Sequence, residues 1–314
     1  MMLLELKSRT CPVCSSPGHD IIGRPRKVDD LFKSLNNPDL SSVRIVRCRR
    51  CSLLYTDPFP YFSDELLRKM YSNENNYFPE LTPKMERVIH HENPLRRFQT
   101  AERHAKRPIQ NYLEIGCGQG FGLKTARAKG WKISGQDVSP DFARIVKDHT
   151  GIDILIGTVK HDSFPSGAFD CIYVDSVLEH VPDPVEYMSF LYGFLAPGGV
   201  IYLTLPNEGS FQNICMDHVL ALTGSNATSR TMPFFEPYHT MGFTKKSIVF
   251  LGEKIGLSIP FLECRYSYGH CERFKRPLTF LRTFKRISLA PFHVLADILN
   301  IGMNMEVVFV KKDA

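Results

Sequence analysis

A chain of 314 residues, 43% hydrophobic and 23% charged, is long enough to bury one large α/β core with additions. It holds no apolar run of about 18 residues, which excludes a spanning helix, and the N-terminal MMLLELKSRT has too short an apolar run and no cleavage signature for a signal peptide. The net charge of +6 points by itself neither to nucleic acid nor to a membrane, and nine cysteines without an export signal read as the reduced thiols of a cytoplasmic protein.

The first feature along the chain is a pair of C-x-x-C knuckles, Cys11-Pro-Val-Cys14 and Cys48-Arg-Arg-Cys51, separated by 33 residues. Each knuckle aims two thiolates at one metal from a tight turn, and together they can close the tetrahedral Cys₄ site of structural zinc. The intervening DIIGRPRKVDD and the alternating SVRIVRC read as strands, so residues 1–56 are expected to form a zinc ribbon. Four unliganded thiols are the alternative. The set has no histidine and no open position, so the metal is expected to stabilise a small module whose loss leaves the rest of the chain largely intact.

Residues 57–108 read as a helical connector and substrate cap. A helix is expected to open at Ser63 and Asp64, the dense aromatics around it (Tyr55, Phe59, Tyr61, Tyr71, Tyr77 and Phe78 among them) serve mainly packing, and a polar helical segment from Lys84 to Arg107 is broken by Pro94.

Residues 109–314 alternate strands and helices, the pattern of a Rossmann-like doubly wound α/β sheet. Strands are expected at Asn111–Ile115, Lys132–Gln136, Ile152–Ile156, Phe169–Val174, Val200–Leu205, Ser258–Leu262 and Met305–Val310. Helices are expected near Phe121–Lys129, Pro140–Asp148, Pro184–Leu195 and Thr244–Ile255. The stretch Leu113-Glu114-Ile115-Gly116-Cys117-Gly118-Gln119-Gly120 ends the first of these strands in glycines that admit positive φ, just before a helix whose free N–H groups attract an anion. A nicotinamide-type G-x-G-x-x-G loop would need glycine at position 121, which is Phe121. Asp137 ends the second strand, where a carboxylate can accept both ribose hydroxyls of a nucleoside; capping the next helix is its alternative role, better suited to Ser139 before Pro140.

LEIGCGQG resembles the first motif of class I S-adenosylmethionine (SAM)-dependent methyltransferases, and FDCIYVDSVLEHVPDP resembles the V-L-E-H-x-x-D-P motif of members that tailor sugars and polysaccharides. LAPGGVIYLTLPN is similar to that family's turn into strand five, and the resemblance runs through residues 111 to 262. It implies a seven-stranded sheet ordered 3-2-1-4-5-7-6 with the last strand antiparallel. It also implies SAM as cofactor, held by Glu114, Gly116, Gly118, Gly120 and Asp137, with Asp175 below its methionine end. In the adenine segment the family commonly carries an acid where this chain has Thr158; its hydroxyl can bond the adenine edge and Val159 can pack on the ring, with Asp162 as the other candidate and a ligand-free exposed loop as the alternative.

Methyl transfer from a sulfonium is an in-line displacement, so positioning dominates and an alcohol or carbon acceptor also needs a base. His239, in PYHTMGFT on the presumed lid loop 206–240, is expected to meet the acceptor's proton and His180 to shape the site; a hydrogen-bonded structural histidine is the alternative for each, and His218, Glu236 and Tyr238 are weaker candidates. Within a basic insert spanning 263–303, RFKRPLTFLRTFKR (273–286) carries six Arg or Lys and no acid; it suits peripheral contact with an anionic membrane surface or a phosphorylated substrate, or else a solvated helix face. The chain therefore reads as a zinc-ribbon, SAM-dependent methyltransferase acting on a small-molecule or glycan-type acceptor, including a nucleotide-linked sugar. RNA or protein methylation and a non-catalytic SAM-binding scaffold are the alternatives.

Overall fold

A computed structural model describes residues 3–25, 27–34, 40–72, 92–224, 233–266, 292 and 294–312. The basic stretch 273–286, Tyr77, Phe78 and the segment 84–91 therefore lie outside the described residues.

In chain order the elements begin with β1 (Leu4–Lys7), β2 (His19–Gly23), α1 (Asp30–Lys33), β3 (Arg44–Cys48), β4 (Leu54–Asp57), β5 (Phe59–Phe62) and α2 (Asp64–Met70). Ser63 caps α2 by accepting from the Leu66 N–H at 3.2 Å, as expected from its position before two acids. Next comes α3 (Asn93–His104), with Pro94 at its start.

The remaining chain supplies β6 (Asn111–Ile115), α4 (Phe121–Ala128), β7 (Lys132–Asp137), α5 (Pro140–Thr150), β8 (Leu155–Ile156), β9 (Phe169–Asp175), α6 (Pro184–Phe194), β10 (Leu195–Pro206), α7 (Phe211–Leu222), β11 (Met241–Gly242), α8 (Lys245–Ile255), β12 (Leu257–Arg265) and β13 (Asn304–Lys311). Seven of these strands form one sheet in the order β12-β13-β10-β9-β6-β7-β8. Numbered from β6 along that sheet, the order is 3-2-1-4-5-7-6, and β13 runs antiparallel to both β10 and β12, as the resemblance implied. Strand bounds differ most from expectation at β12, which runs on to Arg265, and at β8 and β10. At the sheet edge only Leu155 and Ile156 pair with β7, and β10 starts at Leu195, with Gly198 at φ 73° inside a register shift rather than in a turn before the strand.

Alternate residues of the central strands feed two apolar layers, as period 2 requires of a sheet covered on both faces. Tyr112, Tyr173, Tyr202 and Val308 pack against Phe98 of α3 and Leu123 of α4; Phe98 meets Tyr112 and Tyr173 edge-on at 5.2 and 5.6 Å. Leu113, Ile115, Ile172, Val174 and Leu203 face Met188 and Leu191 of α6 and Ile248 and Leu251 of α8.

That second layer also contains Val13, Cys51, Leu53, Tyr55 and Phe59, and Lys254 of α8 donates to the Val13 carbonyl at 2.9 Å. The knuckle region thus shares an apolar layer with the sheet. Its sheet β2-β3-β4 gains a fourth strand from β11, a segment almost two hundred residues further along that directly follows the presumed lid loop.

Candidate functional site

The carboxyl ends of β6, β7, β8 and β9 meet at the glycine loop. Gly116, Gly118 and Gly120 all have positive φ, and at Gly116 a Cβ would lie 2.4 Å from the Val177 side chain. The 176–180 loop after β9 therefore rests directly on the turn that ends β6. Glu114 points the other way, into the start of α4. A Cβ on Gly122 would stand 2.4 Å from its carboxylate, so Gly122, which the sequence reading passed over, is the residue that makes room for Glu114. Burial, followed by the nearby Asp175 charge, pushes the Glu114 carboxyl up to about 8, and its Oε2 has no hydrogen-bond partner.

Asp137 is buried at the end of β7 and accepts from Gly118 N–H at 2.8 Å and Ser139 N–H at 2.9 Å. Burial raises its pKa against the pull of those donors. Ser139 does occupy the cap position of α5, but its hydroxyl makes no cap bond and its amide is spent on Asp137. Beyond β8, Val159 is buried while Thr158 and Asp162 are exposed, Asp162 lying 3.6 Å from His161. Of the adenine-segment candidates, Val159 alone turns inward.

Asp175 is the hub of an ionic network. Its Oδ2 accepts from Arg97 of α3 at 2.6 Å and from the Tyr173 hydroxyl at 3.2 Å, and its Oδ1 accepts from Thr204. Burial disfavours its charge, but the Arg97 guanidinium holds its pKa below the usual range. The same arginine reaches Glu306 of β13 at 3.1 Å, and Arg96 grips Glu306 through two bonds at 2.7 and 2.5 Å. Against burial, the two arginines bring the Glu306 carboxyl down to about 2. Through Arg96 and Arg97 this network ties α3 to the carboxyl end of β9 and to β13.

Glu179 and His180 lie on a 3₁₀ turn, Leu178–His180, and His239 approaches from the loop before β11. The two segments are laced together, since the Thr240 N–H and hydroxyl both donate to the Glu179 carbonyl, at 3.1 and 3.2 Å. The rings of His180 and His239 stand 4.9 Å apart at 66°, and His239 Nε2 is 3.7 Å from Glu179 Oε1. His180 Nδ1 lies 2.9 Å from the Tyr71 hydroxyl and 3.3 Å from the Tyr238 carbonyl, and burial holds its pKa down at about 4, so the ring is neutral at physiological pH. Burial likewise pushes Glu179 up to about 8. Beside the two histidines thus stand Glu179 of the V-L-E-H string and Tyr71, which the sequence placed among the packing aromatics. His218, by contrast, is exposed on α7 and bonds its own helix's Ile214 carbonyl.

Cys11, Cys14, Cys48 and Cys51 are buried together, with sulfur contacts of 3.5 Å (Cys11–Cys51) and 3.4 Å (Cys14–Cys48). The Cys51 contact lowers the Cys11 thiol and raises Cys51. Four converging sulfurs from two knuckles are the donor set of a closed, tetrahedral structural zinc site.

Residues 78–259 match the family model described as a methyltransferase domain. The chain is 26% identical over 195 residues to the protein named ubiquinone biosynthesis O-methyltransferase of Sodalis glossinidius (strain morsitans), a match covering 58% of this chain and 76% of that one. A protein of the same name from Escherichia coli O9:H4 (strain HS) is 26% identical over 169 residues, covering 51% and 70%. Among solved structures, the [4+2]-cyclase SpnF superposes with a TM-score of 0.53 at 15% identity, over 80% of this chain and 98% of that one. Phosphoethanolamine N-methyltransferase 2 of Haemonchus contortus superposes with a TM-score of 0.52 at 15% identity, over 95% and 69%.

Proposed function

This chain belongs to the class I SAM-dependent methyltransferase family, and from that premise we propose that it methylates an oxygen of a small-molecule acceptor held against Glu179, His180 and His239. The observation that carries the reading is the contact between that cluster's loop and the cofactor turn: Val177 lies on Gly116, two positions from Glu179. A displacement needs acceptor oxygen, methyl carbon and sulfur in line, and an acceptor at the cluster would stand beside the methionine end of a nucleoside seated on Asp137 and Val159. His239 is the member on the acceptor side and the place where the hydroxyl proton leaves. His180, pinned by Tyr71 and Tyr238, shapes the wall.

Glu114, Gly116, Gly118, Gly120 and Asp137 are the proposed cofactor residues. Thr158 contributes to that site only if its exposed loop turns inward, and Asp175 acts through Arg97. A structural zinc on the four cysteines completes the assignment. Support for an oxygen acceptor comes from the names of the curated relatives, and support for a glycan or nucleotide-linked sugar from the V-L-E-H motif. The cyclase among the structural neighbours illustrates that the fold alone leaves the chemistry open. Contact of 273–286 with an anionic surface or a phosphorylated acceptor rests on its sequence alone.

SAM carrying a labelled methyl group, incubated with the protein and separate pools of phenolic and quinol lipids, nucleotide sugars, RNA and protein, tests the reading. Label is expected in a small-molecule pool. Label confined to RNA or protein would refute the small-molecule acceptor, and label nowhere would favour the scaffold.

A further inference from the structure

We propose that the N-terminal addition completes the acceptor side of the site through Tyr71, a positioning residue whose hydroxyl donates to His180 Nδ1 and keeps that ring's one proton on Nε2. Tyr71 closes α2 as its C-terminal cap and precedes the residues that match the methyltransferase domain, so the domain receives this hydroxyl from outside itself.

The Tyr71 oxygen lies 2.9 Å from Nδ1, and the Tyr238 carbonyl lies 3.3 Å from the same nitrogen. In a neutral imidazole one nitrogen donates and the other accepts, so Nδ1 cannot serve as acceptor to the phenol and donor to the carbonyl at once. The shorter contact decides for Tyr71, and a phenol can donate where a carbonyl can only accept. Burial keeps the ring neutral and Ser176 gives it a second backbone hydrogen bond, so a single proton has to be placed. With Nδ1 accepting, that proton is assigned to Nε2.

Packing holds the hydroxyl where this bond needs it. The Tyr71 ring stands edge-on to His180 at 5.8 Å and to Tyr238 at 6.1 Å, and Leu66 and Met70 of α2 share an apolar cluster with Phe32 and Tyr238. The same N-terminal addition grips the segment a second time. Arg9 donates to the Pro182 carbonyl at 2.6 Å and to the Tyr61 hydroxyl at 3.1 Å, with its guanidinium 5.1 Å over the Phe59 ring. Just before these grips stand Ser176, at φ 57°, and Val177 against Gly116. Left-handed backbone at a non-glycine residue persists only where its surroundings hold it.

This inference rests on the methyltransferase reading and deepens it. A His180 with Nδ1 occupied and Nε2 protonated has no free lone pair, so it cannot take the acceptor's proton, and that proton goes to His239.

The test is nitrogen NMR of the full-length protein isotopically labelled at histidine, wild type against Tyr71→Phe, with His180→Gln used only to assign the His180 signals. The wild type is expected to show His180 protonated on Nε2. Tyr71→Phe keeps the ring contacts and loses the donor, so the proton is expected to move to Nδ1 and the Tyr238 carbonyl. Transfer of label from SAM into the small-molecule pool is expected to fall about tenfold in that variant, the scale of one hydrogen bond, with S-adenosylhomocysteine affinity held within about twofold. A wild-type proton on Nδ1, a tautomer indifferent to Tyr71→Phe, or a moved proton with full label transfer would each overturn the positioning role. Should Tyr71→Phe not fold, the wild-type spectrum alone decides the tautomer. The expected tautomer change in a protein that transfers no label would leave the hold of Tyr71 on His180 standing and refute the methyltransferase reading instead.

Discussion

Cys48→Ser is expected to destabilise the whole protein, not the knuckle region alone. Structural zinc supplies on the order of 10 kcal/mol to small modules at neutral pH, and one missing thiolate opens the tetrahedron. Here the loss has a route into the sheet. Val13, Leu53, Tyr55 and Phe59 share one apolar layer with Leu113, Ile172 and Leu251, and Lys254 is tied to the carbonyl of Val13 between two of the sulfurs. β11 extends the knuckle sheet and directly follows the loop that carries His239, so the acceptor wall would slacken as well. Thermal unfolding of wild type and variant, with zinc content measured on both, checks this. A variant without zinc that melts at the wild-type temperature would show that the four cysteines do not hold the fold.

His239→Ala is expected to lower turnover by about 10²- to 10⁴-fold with SAM affinity nearly unchanged, the scale of a lost proton-transfer or acceptor-activating group. The variant removes the cluster member contributed by the lid loop and leaves the proposed cofactor residues Gly116, Gly118, Gly120 and Asp137 untouched. Steady-state rates alongside a SAM titration separate the outcomes. Equal losses in binding and turnover would make His239 a structural or cofactor residue, and full turnover would place the chemistry elsewhere.

The sheet was legible because its signals are local. An apolar run ending in Gly116, Gly118 and Gly120, an acid closing the next strand at Asp137, and Ser63 or Asp183 opening helices all lie within a few residues of what they control. Asp183 accepts from the Glu186 N–H at 3.1 Å, as a cap should. Where the reading failed, the cause was a partner far along the chain or an edge. Ile152–Ile156 has the composition of a full strand, but at the sheet edge only its last two residues find a ladder.

The site was legible as motifs but not as contacts. His180 meets Tyr71 from 109 positions away, Asp175 meets Arg97 across 78, and Arg96 meets Glu306 across 210, separations no periodicity encodes. Glu179 was visible beside His180 in the V-L-E-H string. That its carboxylate is buried without a partner, facing a histidine 60 positions later, became apparent only with the two loops side by side. Gly122 is the exception that sequence could have given, since an acid buried behind a glycine loop needs a residue without a side chain in the facing helical turn.

The central claim, that the loop after β6 seats SAM, is tested most directly by calorimetric titration of S-adenosylhomocysteine and, separately, NAD into the wild type and Asp137→Ala. S-adenosylhomocysteine is expected to bind the wild type and to lose roughly 1.5–3 kcal/mol in the variant, as for a hydrogen bond to a charged group, while NAD binds neither. Binding of NAD in place of S-adenosylhomocysteine, or an S-adenosylhomocysteine affinity indifferent to Asp137, would contradict it.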